Sequence, residues 1–138
     1  MSGLTYDAGA LVAAERGDRR MWLIHQGALM RGVRPVVPAG VLTEVYRSAR
    51  QADLARLLRG CQVDSLDERT AKAAGTLLGR RATDAGDAAD PGGRDPGAVD
   101  ASVAEGALRR GDAVVSANAS NLRALADGVH RTLDVIPV

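Results

Sequence analysis

The sequence predicts an α/β fold in which helices cover both faces of a central, mainly parallel sheet. Short apolar runs that resemble strands alternate along the chain with helical patterns, and this alternation is typical of β-α-β units. The chain has 138 residues, of which 46% are hydrophobic and 25% charged, as expected for one globular domain. Aromatic residues make up only 2% of the chain, so we expect a core of Leu, Val and Ala and no broad base-stacking platform.

The predicted strands are short runs that are rich in apolar residues. They cover residues 4–6, 33–37, 61–66, 112–116 and 133–138. Pro35 interrupts the second run and Pro38 stops it, which marks a short strand within a parallel sheet. The third run is expected to be a buried strand that begins with Cys61, a small apolar residue.

Between these strands the apolar residues follow helical spacing. Predicted helices cover residues 8–14, 18–31, 41–46, 51–59, 67–81, 100–110 and 120–126. Residues 67–81 begin with acids and end with arginine, an order that favours a helix because it complements the helix dipole. Gly, Asp, Ala and Pro dominate residues 83–96 without apolar periodicity, so this segment is predicted to be a flexible loop within a single domain that covers residues 1–138.

Charge and cysteine content exclude several classes of protein. The net charge is +1, but residues 1–60 carry nine arginines against five acids, whereas the remainder has nine basic residues against twelve acids. This asymmetry permits a basic face for a polyanion beside an acidic site for a cation. The single cysteine excludes an intrachain disulfide and a multi-cysteine metal site, which favours a reduced compartment. No apolar run reaches the length of a membrane span and no signal peptide is evident, so we expect a cytoplasmic protein without a membrane partner.

Four polar residues fall near the carboxyl ends of predicted strands or at helix starts: Asp7, Glu44, Asp100 and Asn118. Ligand sites of open parallel sheets form at this edge. Hard divalent cations such as Mg²⁺ or Mn²⁺ prefer oxygen ligands, and an acidic cluster supplies them. Taken singly, Asp7 and Asp100 are better explained as helix caps, and Glu44 as a solvated residue. The apolar neighbours of Glu44 in the sequence, however, favour an inward-facing, functional carboxylate at this position.

The motifs at these positions resemble the PIN-domain family and, more closely, VapC-type toxins of bacterial toxin–antitoxin pairs. The matching segments are LTYDAGAL at 4–11, VPAGVLTEV at 37–45, AVDASV at 98–103 and DAVVSAN at 112–118. Their order and spacing extend over nearly the whole chain. The resemblance implies a PIN-like α/β/α sandwich with Mg²⁺- or Mn²⁺-dependent endoribonuclease activity. It also implies a homodimer that a small cognate antitoxin inhibits.

The resemblance implies roles for individual residues. Asp7, Glu44 and Asp100 match the family's first three acids, which would hold the metal ion. Ser116 matches the hydroxyl residue at the end of the fourth strand, which could support the acidic cluster. Asn118 occupies the position of a fourth acid, where it could orient a water molecule or accept the ion. The polar positions just beyond are Ser120 and Asn121. Phosphate contacts would come from arginines, for which the candidates are Arg16, Arg19, Arg20, Arg80 and Arg81.

Two alternatives to a toxin ribonuclease remain. Because Asn118 replaces an acid, the chain could be a catalytically weakened PIN-fold protein that acts as an RNA- or protein-binding module. A small phosphatase-like or nucleotide-binding α/β enzyme is disfavoured, since no glycine-rich phosphate loop follows a strand.

Overall fold

A five-stranded sheet lies at the centre of the structure, a computed structural model that describes residues 3–85 and 96–138. The strands are β1 (Leu4–Tyr6), β2 (Val36–Pro38), β3 (Gln62–Asp64), β4 (Ala113–Ser116) and β5 (Val135–Pro137). Their order across the sheet is β3-β2-β1-β4-β5, and every neighbouring pair is parallel. The carboxyl end of β1 therefore lies between those of β2 and β4.

The helices of the described residues pack in two groups around this sheet. They are α1 (Ala8–Glu15), α2 (Arg19–Met30), α3 (Ala39–Val45), α4 (Ala52–Arg59), α5 (Glu68–Ala85), α6 (Ala98–Arg110) and α7 (Ala119–Asp127). Helix α1 contacts α2, α3 and α4, whereas α5, α6 and α7 contact one another. The predicted alternation of strands and helices and the α/β sandwich are confirmed. In the described part of the chain, no helix has the length and apolarity that a membrane span requires.

Strands β2 to β5 are all shorter than predicted, and β2 and β3 differ in further respects. Strand β2 begins at Val36 because Pro35 has no N–H to donate; the Pro35 carbonyl oxygen instead accepts a hydrogen bond of 2.8 Å from the Gln62 N–H. The third strand was expected to be buried, and this is wrong: β3 lies at the sheet edge and Val63 is 46% exposed. Cys61, directly before β3, is buried as an apolar residue should be, and its Sγ contacts the Leu57 carbonyl oxygen at 3.3 Å.

Three helices have an end that differs from the prediction by two residues or more. Helix α3 begins at Ala39, directly after Pro38, and α6 begins at Ala98, so that Asp100 lies in its first turn. Helix α5 continues to Ala85, three residues into the loop predicted for 83–96. Residues 86–95 of that predicted loop lie outside the described residues.

The core consists mainly of Leu, Val and Ala side chains, as the composition predicts. Tyr6 is fully buried, and its hydroxyl lies 3.0 Å from Nδ1 of the buried His25. The His25 ring packs edge-on against Trp22, with 5.7 Å between ring centroids. These contacts join β1 to α2, so the strand that directly precedes Asp7 is fixed from one side of the sheet.

A group of ion pairs fixes the strands from the other side. The Arg110 guanidinium at the end of α6 donates hydrogen bonds to Asp112 (3.0 Å), Asp64 (2.7 Å) and the Thr5 hydroxyl (3.0 Å). Thr5 also donates to Asp112 at 2.8 Å. Because Thr5 and Asp64 belong to β1 and β3 and Asp112 precedes β4, one side chain joins three strand regions.

Candidate active site

A cleft with a volume of about 290 Å³ opens at the carboxyl ends of β1, β2 and β4. The residues that line it come from the segments after these strands and from the start of α6. They are Asp7, Ala8, Gly9, Glu44, Gly97, Ala98, Val99, Asp100, Val103, Ala117, Asn118 and Asn121. All four residues that the sequence predicts for the site therefore share one cavity.

Asp7 is the most buried polar residue of the cleft, with 8% of its surface exposed. It directly follows β1 and caps α1: its Oδ1 accepts a hydrogen bond of 3.0 Å from the Ala10 N–H. Its Oδ2 accepts a short hydrogen bond from the Ser116 hydroxyl at the end of β4. Both carboxylate oxygens are thus held in place, one by the helix start and one by the neighbouring strand.

The surroundings of Asp7 disfavour its charge. Burial raises the pKa of the Asp7 carboxyl above its ordinary value. The hydrogen bonds from Ser116 and Ala10 act in the opposite direction, while repulsion from Asp100 raises the pKa further. Asp7 and Asp100 line the same cleft, and a cation bound there would relieve the repulsion between the two carboxylates.

Asp100 reaches the cleft from the first turn of α6. One of its carboxylate oxygens accepts a hydrogen bond of 3.2 Å from the Gly97 N–H, so this residue also supports a helix start. Asp7 therefore caps its helix as expected, whereas Asp100 supports its helix from the first turn and the N-cap is Gly97. Both aspartates line the cleft.

Glu44 lines the cleft from α3, but its side chain is exposed. The expectation of an inward-facing carboxylate is wrong, because the buried face of α3 is formed by Val41 and Val45, one helical turn apart. Glu44 lies beside that face. An exposed carboxylate can turn toward a cation without repacking the core.

Ser116 and Asn118 form a chain of hydrogen bonds that leads away from Asp7. The Ser116 hydroxyl, which donates to Asp7, accepts a bond of 2.8 Å from the Asn118 N–H. The Asn118 side-chain oxygen accepts a bond of 3.1 Å from the Ser120 hydroxyl. Ser116 thereby holds Asp7, as the sequence analysis expects of a supporting residue.

Gly9 allows the two halves of the cleft to approach each other. A Cβ atom at this position would lie 2.7 Å from the Ala117 Cβ and 3.0 Å from the Ala117 nitrogen. Any side chain at position 9 would therefore push α1 away from the segment that follows β4.

Asn121 is a cleft residue that the sequence analysis did not select as a site residue. The signal was available, because Asn121 lies three residues after Asn118, in the first turn of the helix that Asn118 precedes. By contrast, none of the arginines in the described ranges lines the cleft, so the five arginines proposed for phosphate contact lie elsewhere.

The donor set of the cleft fits a hard divalent cation. Asp7, Glu44 and Asp100 offer carboxylate oxygens, and Asn118 can add an amide oxygen. Across residues 3–85 and 96–138, no three His, Cys, Asp or Glu side chains already form a cluster that could hold a metal ion. A metal would therefore require the carboxylates to draw closer, and the exposed Glu44 has the most freedom to move.

The fold and the cleft define an α/β sandwich with an acidic cavity at the carboxyl edge of a parallel sheet. A chain in the crystal structure of VapBC2 from Rickettsia felis, bound to a DNA fragment from its promoter, shares this fold. Its TM-score is 0.70 at 12% identity, and the match covers 98% of each chain. The structure of FitAB bound to an IR36 DNA fragment gives a TM-score of 0.63 at 13% identity, covering 97% of this chain and 94% of the other.

These two likenesses confirm, at the level of the fold, the resemblance that the sequence motifs carry. This chain therefore shares its fold, over nearly its whole length, with a chain from each of these two complexes. No protein-family model matches the sequence, and no curated protein does.

Proposed function

We propose that this protein is a metal-dependent endoribonuclease and the toxin of a toxin–antitoxin pair. The observation that carries the proposal is the meeting of Asp7, Glu44, Asp100 and Asn118 in one cleft. These residues come from four separate segments of the chain. Capping explains Asp7 and Asp100 singly, but it does not explain why they share a cavity with Glu44.

In this proposal Asp7, Glu44 and Asp100 hold Mg²⁺ or Mn²⁺. A bound ion of this type lowers the pKa of a water molecule and neutralises negative charge on the scissile phosphate. Asp7 is kept in position by the Ala10 N–H and the Ser116 hydroxyl, so its oxygens are oriented before substrate binds. No side-chain nucleophile is needed, since a water molecule would form the new bond to phosphorus while the scissile bond from phosphorus to a ribose oxygen breaks, and that oxygen would leave with a proton.

Arg47, which is not among the arginines predicted from the sequence to contact phosphate, is suited to bind an anionic substrate. The Arg47 guanidinium donates a hydrogen bond of 2.9 Å to the main-chain oxygen of Glu44 and further bonds to the carbonyl oxygens of Thr43 and Tyr46. These bonds hold a positive charge beside a residue of the cleft. Because Arg47 remains exposed, it is free to contact the phosphates of a bound strand.

A cognate antitoxin, a homodimer and a cytoplasmic location belong to the same proposal. The support is the resemblance to VapC-type toxins together with an apolar face on α2, where Leu23 is 57% exposed and Met30 is 81% exposed. Co-expression with a short neighbouring reading frame should suppress any growth arrest. Light scattering of the isolated protein at micromolar concentration should give a dimer mass, and a monomer mass would contradict this part.

The test of the proposed function is cleavage of single-stranded RNA by the purified protein. We expect cleavage with Mn²⁺ and none with EDTA. Asp7→Asn and Asp100→Asn should each reduce the rate by at least about 100-fold, since even residues behind metal ligands contribute 10- to 100-fold.

Asp18→Asn is the matched control for Asp7→Asn. Asp18 caps α2 by accepting a bond of 2.8 Å from the Met21 N–H, as Asp7 caps α1, but it lies outside the cleft. This variant should cleave like the parent. If Asp7→Asn retains its circular dichroism spectrum and cleaves RNA at the parent rate, the assignment of the site is wrong.

A second candidate function is an RNA- or protein-binding module with weakened catalysis. It is favoured by Asn118, which replaces an acid, and by the exposed position of Glu44. The same assay separates the two functions: a weakened module binds RNA but does not cleave it at any Mn²⁺ concentration.

A further inference from the structure

The side of the cleft next to β4 carries two asparagines, Asn118 and Asn121, which we call the amide pair. Asn118 directly precedes α7 and Asn121 lies in its first turn. The strand order places β1 between β2 and β4, so Asp7 lies between Glu44 on one side and the amide pair on the other. The cleft thus carries carboxylates at Asp7, Glu44 and Asp100 and carboxamides on the side next to β4.

The hydrogen bonds of the amide pair leave N–H groups available. The Asn118 side-chain oxygen already accepts the Ser120 hydroxyl at 3.1 Å, and its NH₂ group remains as a double donor. Asn121 is partly buried, and its carboxamide forms no hydrogen bond with any of the described residues. A partly buried carboxamide that lines a cavity without a partner is suited to bind a ligand there.

The chemistry of these groups identifies the ligand. A strand that reaches the carboxylates must bring its phosphates into an acidic cavity, where they are repelled unless donors hold them from another side. Carboxamide N–H groups can do this, whereas the carboxylates cannot donate. Among the described residues no aromatic side chain lines the cleft, so the stacking on which base recognition commonly depends is missing.

We propose that Asn118 and Asn121 bind a non-bridging phosphate oxygen of the substrate strand and so position it against the carboxylates. This assignment rests on the proposed ribonuclease function and makes the amide pair substrate-contacting residues. A carboxylate at either position would add repulsion for the phosphate while keeping the size of the side chain. The two asparagines are thus favourable for substrate binding in a way that two aspartates would not be.

The experiment measures RNA binding and metal binding separately. The full chain is titrated in EDTA with a fluorescein-labelled single-stranded RNA, followed by anisotropy, and Mn²⁺ affinity is measured by calorimetry without RNA. Asn121→Asp and Asn118→Asp should each weaken RNA binding by about tenfold, as expected for one added charge at a partly exposed site. Gln62→Glu is the matched control, because it makes the same amide-to-acid change at the exposed start of β3. This variant should shift the RNA Kd by less than about twofold.

Each outcome has a separate meaning. If Asn121→Asp binds RNA like the parent while the parent cleaves RNA with Mn²⁺, the amide pair does not contact phosphate and the proposed function stands. If Asn121→Asp instead binds Mn²⁺ more tightly with unchanged RNA affinity, the residue belongs to the metal site and the inference is overturned. A parent protein that neither binds nor cleaves RNA overturns both the proposed function and this assignment.

Discussion

Replacing Arg110 by methionine should destabilise the fold more than replacing any exposed charged residue. Its guanidinium contacts Asp112, Asp64 and Thr5 at 2.7–3.0 Å, and methionine retains most of the apolar stem while removing all three hydrogen bonds. The Asp112 side chain is 6% exposed and that of Arg110 20% exposed, so the variant leaves a buried carboxylate with only the Thr5 hydroxyl.

The magnitude follows from this burial. Breaking a buried ion pair by removing one partner costs about 3–5 kcal/mol, because the remaining charge stays desolvated. Asp64 is 33% exposed and keeps its bond of 3.0 Å to Arg109, so it adds little to the loss. We therefore expect the free energy of unfolding to fall by about 3 kcal/mol, a large part of the 5–15 kcal/mol typical of a domain.

Urea denaturation followed by circular dichroism measures this change. Lys72→Ala is the control, since the ion pair between Lys72 and Glu68 spans 3.6 Å at the surface; its loss should cost below about 0.5 kcal/mol. Arg110→Met combined with Asp112→Asn should recover about 1–2 kcal/mol, because the unpaired charge is removed as well. A loss below about 1 kcal/mol for Arg110→Met, or no recovery in the double variant, would refute this reasoning.

Three further predictions concern the core and the cleft. Burial lowers the pKa of His25 below its ordinary value of 6.5, and the positive charge of Arg56 lowers it further. The folded state is therefore stabilised fully by neutral His25 above pH 6.5, and this stabilisation is lost as the pH falls below 6.5. The free energy of unfolding between pH 7.5 and about 5.5 should therefore depend less on pH in His25→Gln than in the parent, and equal slopes would contradict this. Gly9→Ala should cost about 1–3 kcal/mol in urea denaturation, because its Cβ would lie 2.7 Å from that of Ala117; a stability equal to that of the parent would show that the cleft can widen freely. Asn118→Asp should bind Mn²⁺ about tenfold more tightly in calorimetric titration, and equal affinities would place residue 118 beyond the reach of the ion.

The strand and helix pattern could be predicted because each element carries its own periodicity. The errors arise where long-range contacts decide. The edge position of β3 depends on which strand pairs with which, and no local pattern specifies it; Val63 is as apolar as the buried Val37 of β2. Similarly, the Pro35 carbonyl oxygen at the start of β2 accepts its hydrogen bond from the Gln62 N–H, and a partner so far away in the sequence is not specified by a local pattern.

Four residues of the cleft could be predicted from the sequence, but the contacts of their side chains could not. Strand ends converge in any parallel sheet, so polar residues that follow several strands were expected to share a cavity. The orientation of Glu44 could have been inferred from the spacing of Val41 and Val45, which define the buried face of α3. The side-chain contacts between Ser120 and Asn118 could not, because several rotamers of each residue are compatible with the sequence.

Capping and the proposed metal binding are compatible roles for Asp7, because they use different parts of its surroundings. The bond from Ala10 fixes Oδ1 at the start of α1, and the bond from Ser116 fixes Oδ2 against β4. This rigid placement leaves a buried carboxylate, and its pKa is raised by burial and further by Asp100. Asparagine at position 7 keeps an oxygen for the cap but removes the charge. Asp7→Asn should therefore unfold at no lower temperature than the parent while losing RNA cleavage. If Asp7 served only as a helix cap, this variant would keep the cleavage activity of the parent.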